Sequence, residues 1–272
     1  MNHLHRQLAP IADAGWAAIE DEIKPRLETH LAARKLVDFE GPLGWTHSAT
    51  ALGRRTSIAG PAPDVTGSQR RVLPLVELRS DFVVKRSEVD DAERGATDLD
   101  LPGLEDAGRR IALAENTAVF HGYAAGQIEG ITQSTSHTAL TLSPDPEHYP
   151  TAVAEAVDVL RGAGIGGPYG LALSPGIYTE IVHTAEHGGH LLLDHLRQIL
   201  GGPLVWAPGV EGGIVLSLRG GDFVFESGQD ISIGYAWHDA ETVALYLEES
   251  FSFRVLEPDA AVALRSKAPK KA

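Results

Sequence analysis

Cysteine is absent from the 272 residues, which excludes disulfide scaffolds, thiol catalysis, iron–sulfur ligation and cysteine-based zinc sites. A reducing cytoplasm agrees with that absence without requiring it. No apolar run approaches the roughly 20 residues that cross a bilayer. The opening ten residues hold no hydrophobic stretch of the kind that directs export. Positive charge is scarce: 23 lysines and arginines face 37 aspartates and glutamates, for a formal net charge of −14. A free nucleic-acid binder carries the opposite footprint. The exception is the chain's end, Arg265 to Ala272, with four cations in eight residues, which reads as a solvated tail. Nucleophile-elbow, P-loop and EF-hand motifs are also missing.

What is present is an ordinary globular composition, 43% hydrophobic and 22% charged. Trp16, Ile19, Ile23, Leu27 and Leu31 recur at helical spacing and predict a helix over 13–33. Pro25 interrupts it and predicts either a kink or two short helices, the second starting at Pro25. Residues 46–58 and 70–84 read as two extended arms around a Gly- and Pro-rich centre, a long protruding hairpin. Such a ribbon is marginal alone and calls for a neighbouring subunit. A long helix is expected over 101–126, with a stripe of Leu104, Ile111, Ala114 and Ala118. A second segment, 133–222, alternates helices (147–163, 175–186, 191–200) with strands (168–174, 203–206, 213–218). Residues 222–236 and 242–256 read as strands, and Glu249 breaks the alternating apolar face of the second. A carboxylate there needs a partner, for which arginine is the natural choice. The mixed order gives an α+β class.

Residues 162–167 match a dinucleotide fingerprint by letters, but a helix precedes them and a strand follows, the reverse of what pyrophosphate binding needs. His183, His187 and His190, with Glu186 between and His195 beyond, have spacing compatible with a metal on one helical face. Gly188 and Gly189 break the helix where the third ligand would be oriented, so an exposed histidine-rich loop is favoured and no metal is expected. Glu115 reads as a satisfied structural carboxylate. Residue chemistry alone points to an assembling protein with a protruding hairpin, not an enzyme.

The chain carries Leu8-Ala-Pro10, Trp16, Arg34-Lys-Leu-Val-Asp38, Glu40-Gly-Pro42, Gly44-Trp45 and Leu73-Pro-Leu-Val-Glu-Leu-Arg79. Further on come Glu93-Arg-Gly95, Phe120-His-Gly122, Ile128-Glu-Gly-Ile131, Gly167-Pro-Tyr169, Arg219-Gly-Gly-Asp-Phe223, Gly228-Gln-Asp230 and Ile233-Gly-Tyr235. In this order and spacing, over about residues 1–258, they resemble the encapsulin (linocin-like) shell proteins of bacteria. The resemblance implies the tailed-phage major capsid protein fold. A peripheral domain would gather 1–45, 83–132 and 223–258, an extended loop 46–82 and an axial domain 133–222, leaving 259–272 as a basic disordered tail. It implies a closed icosahedral shell, of sixty copies in the smallest form, in the bacterial cytoplasm. The shell would enclose a dye-decolourising peroxidase or a ferritin-like iron oxidase, which would place it in oxidative-stress defence or iron storage. Cargo would dock by a C-terminal targeting peptide in a pocket of Leu27, Arg34, Asp38, Ile231, Ile233 and Tyr235. Glu186, His187, Gly188, Gly189 and His190 would ring a five-fold pore. Some relatives bind flavin through a tryptophan where Ser87 stands here, so no flavin or other cofactor is expected. Partners are then further copies and the cargo, with neither nucleic acid nor membrane. A histidine-dependent metallohydrolase or protease, or a true phage coat protein, is the competing reading.

Overall fold

A computed structural model describes residues 3–184 and 191–266. In chain order its elements are α1 (Asp13–His30), β1 (Asp38–Glu40), β2 (Ala49–Ile58), β3 (Gly67–Pro74), β4 (Val76–Lys85), α2 (Arg86–Glu93) and α3 (Pro102–His121). There follow α4 (Ile131–Ser134), β5 (Leu140–Leu142), α5 (Tyr149–Gly162), β6 (Tyr169–Leu173), α6 (Pro175–His183), α7 (Leu192–Leu200), β7 (Leu204–Trp206) and β8 (Gly213–Ser217). The chain closes with β9 (Phe223–Ser227), β10 (Ser232–His238), β11 (Thr242–Val255) and β12 (Ala261–Ser266).

The strands form two five-stranded sheets and a separate two-stranded ribbon. The first sheet is organised by β11. One edge pairs with β4 from Thr242 to Phe251, and the other edge takes β10 and then β9. β9 and β10 therefore follow one another along the same edge, and only Gly228–Ile231 separates them. α1 and α3 cover this sheet. Trp16, Ile19 and Ile23 of α1 and Leu104 and Ile111 of α3 meet Phe82, Ile233, Leu245 and Leu247 in one apolar core. The second sheet runs β5-β12-β8-β6-β7 and packs beneath α5, α6 and α7.

Several expectations need correction. α1 is one helix through Pro25, not two. Pro25 lies on the exposed side, where water can meet the carbonyl that loses its donor. α3 ends at His121 because Gly122 turns left-handed (φ 91°), and a Cβ there would lie 2.1 Å from Gln133 Oε1. Ala114 is exposed; the buried stripe passes instead through Glu115 and Asn116. Residues 76–82 belong to the main sheet and not to the arm, because Ser80, Phe82 and Val84 turn inward beneath α3. The supposed disordered tail from 259 instead supplies β12, a strand held between β5 and β8 with Ala261, Val262 and Leu264 buried. A continuous apolar run fits a strand covered on both faces.

Candidate functional site

Where the first sheet breaks between β9 and β10, an ionic cluster fills the gap. Glu249 stands in the inward row of β11 between Leu247 and Phe251, as its alternation requires. Its partner is an arginine, as expected. Arg34, on the short turn after α1, donates from Nη2 to Glu249 Oε2 at 3.0 Å. The same guanidinium donates from Nε to Glu115 Oε2 at 2.8 Å and from Nη1 to Asp230 Oδ1 at 2.6 Å. It also lies 5.1 and 5.3 Å from the Phe39 and Phe225 rings, within cation–π reach. Glu115 is 0% and Glu249 1% exposed, whereas Asp230 is 45% exposed. Asn116, the next residue of α3, ties the α1 end down. Its Oδ1 accepts from the Ala32 and Ala33 amides, both at 3.0 Å, and its Nδ2 donates to His30 and Pro208 carbonyls.

One cation faces two buried carboxyls, and that arithmetic sets their protonation. Burial lifts Glu249 well above the usual carboxylate range, the Glu115 charge adds to the lift, and Arg34 opposes it. Burial also raises Glu115, against the attraction of Arg34. For Arg34, burial disfavours the charge, but Glu115 foremost among its carboxylates outweighs that cost and raises the group. With both carboxyls ionised, Oε1 of each would lack a donor. A proton held on Glu249 and hydrogen-bonded to Glu115 supplies one.

Beside the cluster opens a cavity of about 520 Å³ between α1 and β10. Leu27, Leu31, Ile231, Ile233 and Leu247 make its apolar wall, while Arg34, Asp230, Glu20, Lys24 and Glu28 supply charge around it. The N-terminal segment closes one end. Arg6 donates from Nε to the Ile233 carbonyl at 2.7 Å and pairs with Glu20 at 2.6 Å. Thus Leu27, Arg34, Ile231 and Ile233 converge as expected.

Asp38 and Tyr235 do not join them. Asp38 sits on β1, parallel to β9, and its Oδ2 accepts from the Gly221 amide at 2.6 Å, outside the cavity. Tyr235 lies beyond the N-terminal segment, where its amide donates to the Leu4 carbonyl at 2.8 Å. Leu4 and Arg6 face the first cavity, while His3, His5 and Gln7 face a second one with Tyr235, Trp45 and Tyr246. The segment is a turn in which His5 is left-handed (φ 52°) and Arg6–Leu8 form a short 3-10 helix, and its side chains line both spaces. Asp230 belongs to the cavity wall, although the sequence motif Gly228-Gln-Asp230 does not mark it as a pocket residue. The signal was its place one residue before Ile231, in the only gap of the β9–β10 edge. Glu186, His187, Gly188, Gly189 and His190 lie outside the described residues. No group of three candidate metal ligands occurs among the described residues, and no helix there is long and apolar enough to cross a membrane.

A protruding ribbon, a body of one sheet covered by α1 and α3, and a second sheet domain make up the fold of capsid-type shell proteins. A solved virus-like particle from Pyrococcus furiosus shares this fold, with a TM-score of 0.60 over 92% of this chain and 99% of that one at 18% identity. The family described as encapsulating protein for peroxidase matches residues 1–252. A type 1 encapsulin shell protein of Rhodospirillum rubrum is 48% identical over 271 residues, covering 97% of both chains. That of Mycobacterium tuberculosis is 41% identical over 264 residues, covering 97% of this chain and 99% of its own. The chain belongs to the encapsulin shell proteins, a structural family and not an enzyme family, whose members assemble into capsid-like shells.

Proposed function

We propose that copies of this chain close into a sixty-subunit icosahedral shell in the bacterial cytoplasm around a dye-decolourising peroxidase or a ferritin-like iron oxidase. The cargo is held by a short C-terminal peptide in the α1–β10 cavity. The observation that carries this reading is the cavity itself, an apolar wall with a charged rim in a chain of the encapsulating family. Such a trough fits an extended peptide whose alternate side chains enter the apolar wall while its polar groups meet the rim. The shell subunit itself takes no flavin in this proposal, because Ser87 presents an exposed hydroxyl and no ring to stack on.

Ile231 is the residue to test. Ile233 is 3% exposed and belongs to the core beneath the cavity as well as to its wall, so a charge there unfolds and empties at once. Ile231 is only partly buried. A fluorescent protein carrying the C-terminal segment of a candidate peroxidase or ferritin-like cargo is co-expressed with the shell. Wild-type particles should enclose it and Ile231→Asp particles should form empty. Undiminished loading of the variant would overturn the cavity assignment.

A further inference from the structure

The last residue of α3 is a histidine whose two ring nitrogens reach different parts of the molecule. His121 is half-buried. Thr132 of α4 donates its one hydroxyl proton to the Phe120 carbonyl at 2.9 Å. At 3.0 Å from His121 Nδ1 that hydroxyl oxygen is therefore the acceptor, and Nδ1 carries the proton. Nε2 accepts from the Glu211 amide at 3.0 Å. These bonds suit the neutral ring in one tautomer only.

Glu211 stands on the loop between β7 and β8, and that loop is tied to the second sheet. The Ala207 amide donates to the Leu173 carbonyl at 2.8 Å, and the Ser174 amide donates to the Gly212 carbonyl at 2.9 Å. α3 grips the loop at three places. Asn116 Nδ2 donates to the Pro208 carbonyl at 2.9 Å. Gly209 passes so close that a Cβ there would lie 2.8 Å from Thr117 Oγ1. His121 is the third, and of the three it alone titrates near neutrality.

The charged side chains around the ring are Glu211 of the loop and Arg265 of β12, which line a cavity of about 740 Å³ beside it with Thr132 and Gln133. α4 and the last turn of α3 bring no other charge. Burial holds the imidazole below its ordinary value, and the Glu211 carboxylate opposes that. We propose that His121 is a proton-operated clamp between α3 and the second sheet, shut while the ring is neutral and open once Nε2 takes a proton. That proton points a second donor at the Glu211 N–H, so the bond between them is lost. The adjoining cavity has polar walls and room for water to meet both groups once they part. The folded ring takes its proton less readily than the unfolded chain's, so the clamp is fully shut above the ordinary imidazole value and is lost as pH falls through the lowered one. Asn116 and Gly209 then hold the loop without it, and the second sheet is freer to swing on α3.

The test is amide hydrogen exchange on the full-length assembled protein, read as protection of residues 207–213 relative to the unfolded chain. It runs from about pH 8 to about pH 4.5, a span that brackets the free imidazole value of about 6.5. Wild-type protection should fall by up to about tenfold with acid, the weight of one net hydrogen bond. In His121→Gln the amide oxygen can stand where Nε2 stood and takes no proton in this range, so protection should stay at its neutral-pH level throughout. His121→Ala should show the low level at every pH. A wild-type profile without the drop would overturn the clamp. A drop that survives in either variant would overturn it too, because it would belong to another group. The readout is local to one subunit, so failure of the cargo or sixty-copy reading would leave it unchanged.

Discussion

Two sets of arginine side chains carry opposite lessons. Arg34 is saturated, with three carboxyl groups and two aromatic rings around one guanidinium. The arm's four arginines, Arg54, Arg55, Arg70 and Arg71, form no ion pair among the described residues. The first arrangement is a fold device: it brings α1, α3 and the β9–β10 gap to one point and thereby sets the cavity wall. The second is a cationic surface that forms no ion pair among the described residues, on a chain of net charge −14. Charge paired inside the chain holds distant elements at one point, whereas the arm's charge holds nothing together within the described chain.

The comparison can be broken from either side. Removing the arm has the largest expected effect: excision of residues 55–70 should leave folded subunits and no closed particles, checked by electron microscopy and circular dichroism. Next comes Arg34→Ala, which strands two buried carboxyls and should cost about 3–5 kcal/mol per subunit, the usual penalty for breaking a buried ion pair. The measure is thermal melting of the particles against wild type. If that variant melts like wild type, the cluster does not hold the fold.

Glu249→Gln should be mild at neutral pH, within about 1 kcal/mol, because the amide resembles the protonated acid it replaces. Its effect is on pH dependence. Glu249 holds its proton more tightly folded than unfolded, so the folded state binds more protons between the two pKa values. Stability therefore falls as pH rises from the ordinary carboxylate range through the raised value. The glutamine variant should lose that part of the slope in melting curves recorded across pH, and an unchanged slope would assign it elsewhere. The smallest effect is expected from Arg71→Ala. A single exposed charge is worth less than about 1 kcal/mol, so particles should persist and only the salt concentration that dissociates them should drop.

The parts of the fold written in local pattern were legible. The helical stripe of α1, the alternation of β11 and the demand of Glu249 for an arginine all follow from spacing and from the cost of an unpaired buried charge. Ile233 was legible for the same reason, and Ile231, one residue before β10, joins it in the cavity wall. Which arginine answers Glu249 was not legible, because Arg34 and Glu249 are 215 residues apart and no local pattern records that meeting. Asp38 and Tyr235 were misplaced for a related reason. Asp38 is claimed by the Gly221 amide across a parallel pairing, and Tyr235 is cut off by a crossing of the N-terminal segment.

By itself the sequence determined the α+β class, the elements of strong periodicity, the protruding hairpin and, through ordered motifs, the shell-protein family. Tertiary structure alone decided that β12 completes the second sheet, that β4 belongs to the body, and that burial raises the Glu115 and Glu249 carboxyls beneath the cavity. Those outcomes depend on strand pairing and burial between distant residues. A strand's neighbours fix its partners, and the surrounding dielectric fixes a carboxyl's charge, and neither is encoded within the few residues a periodicity spans.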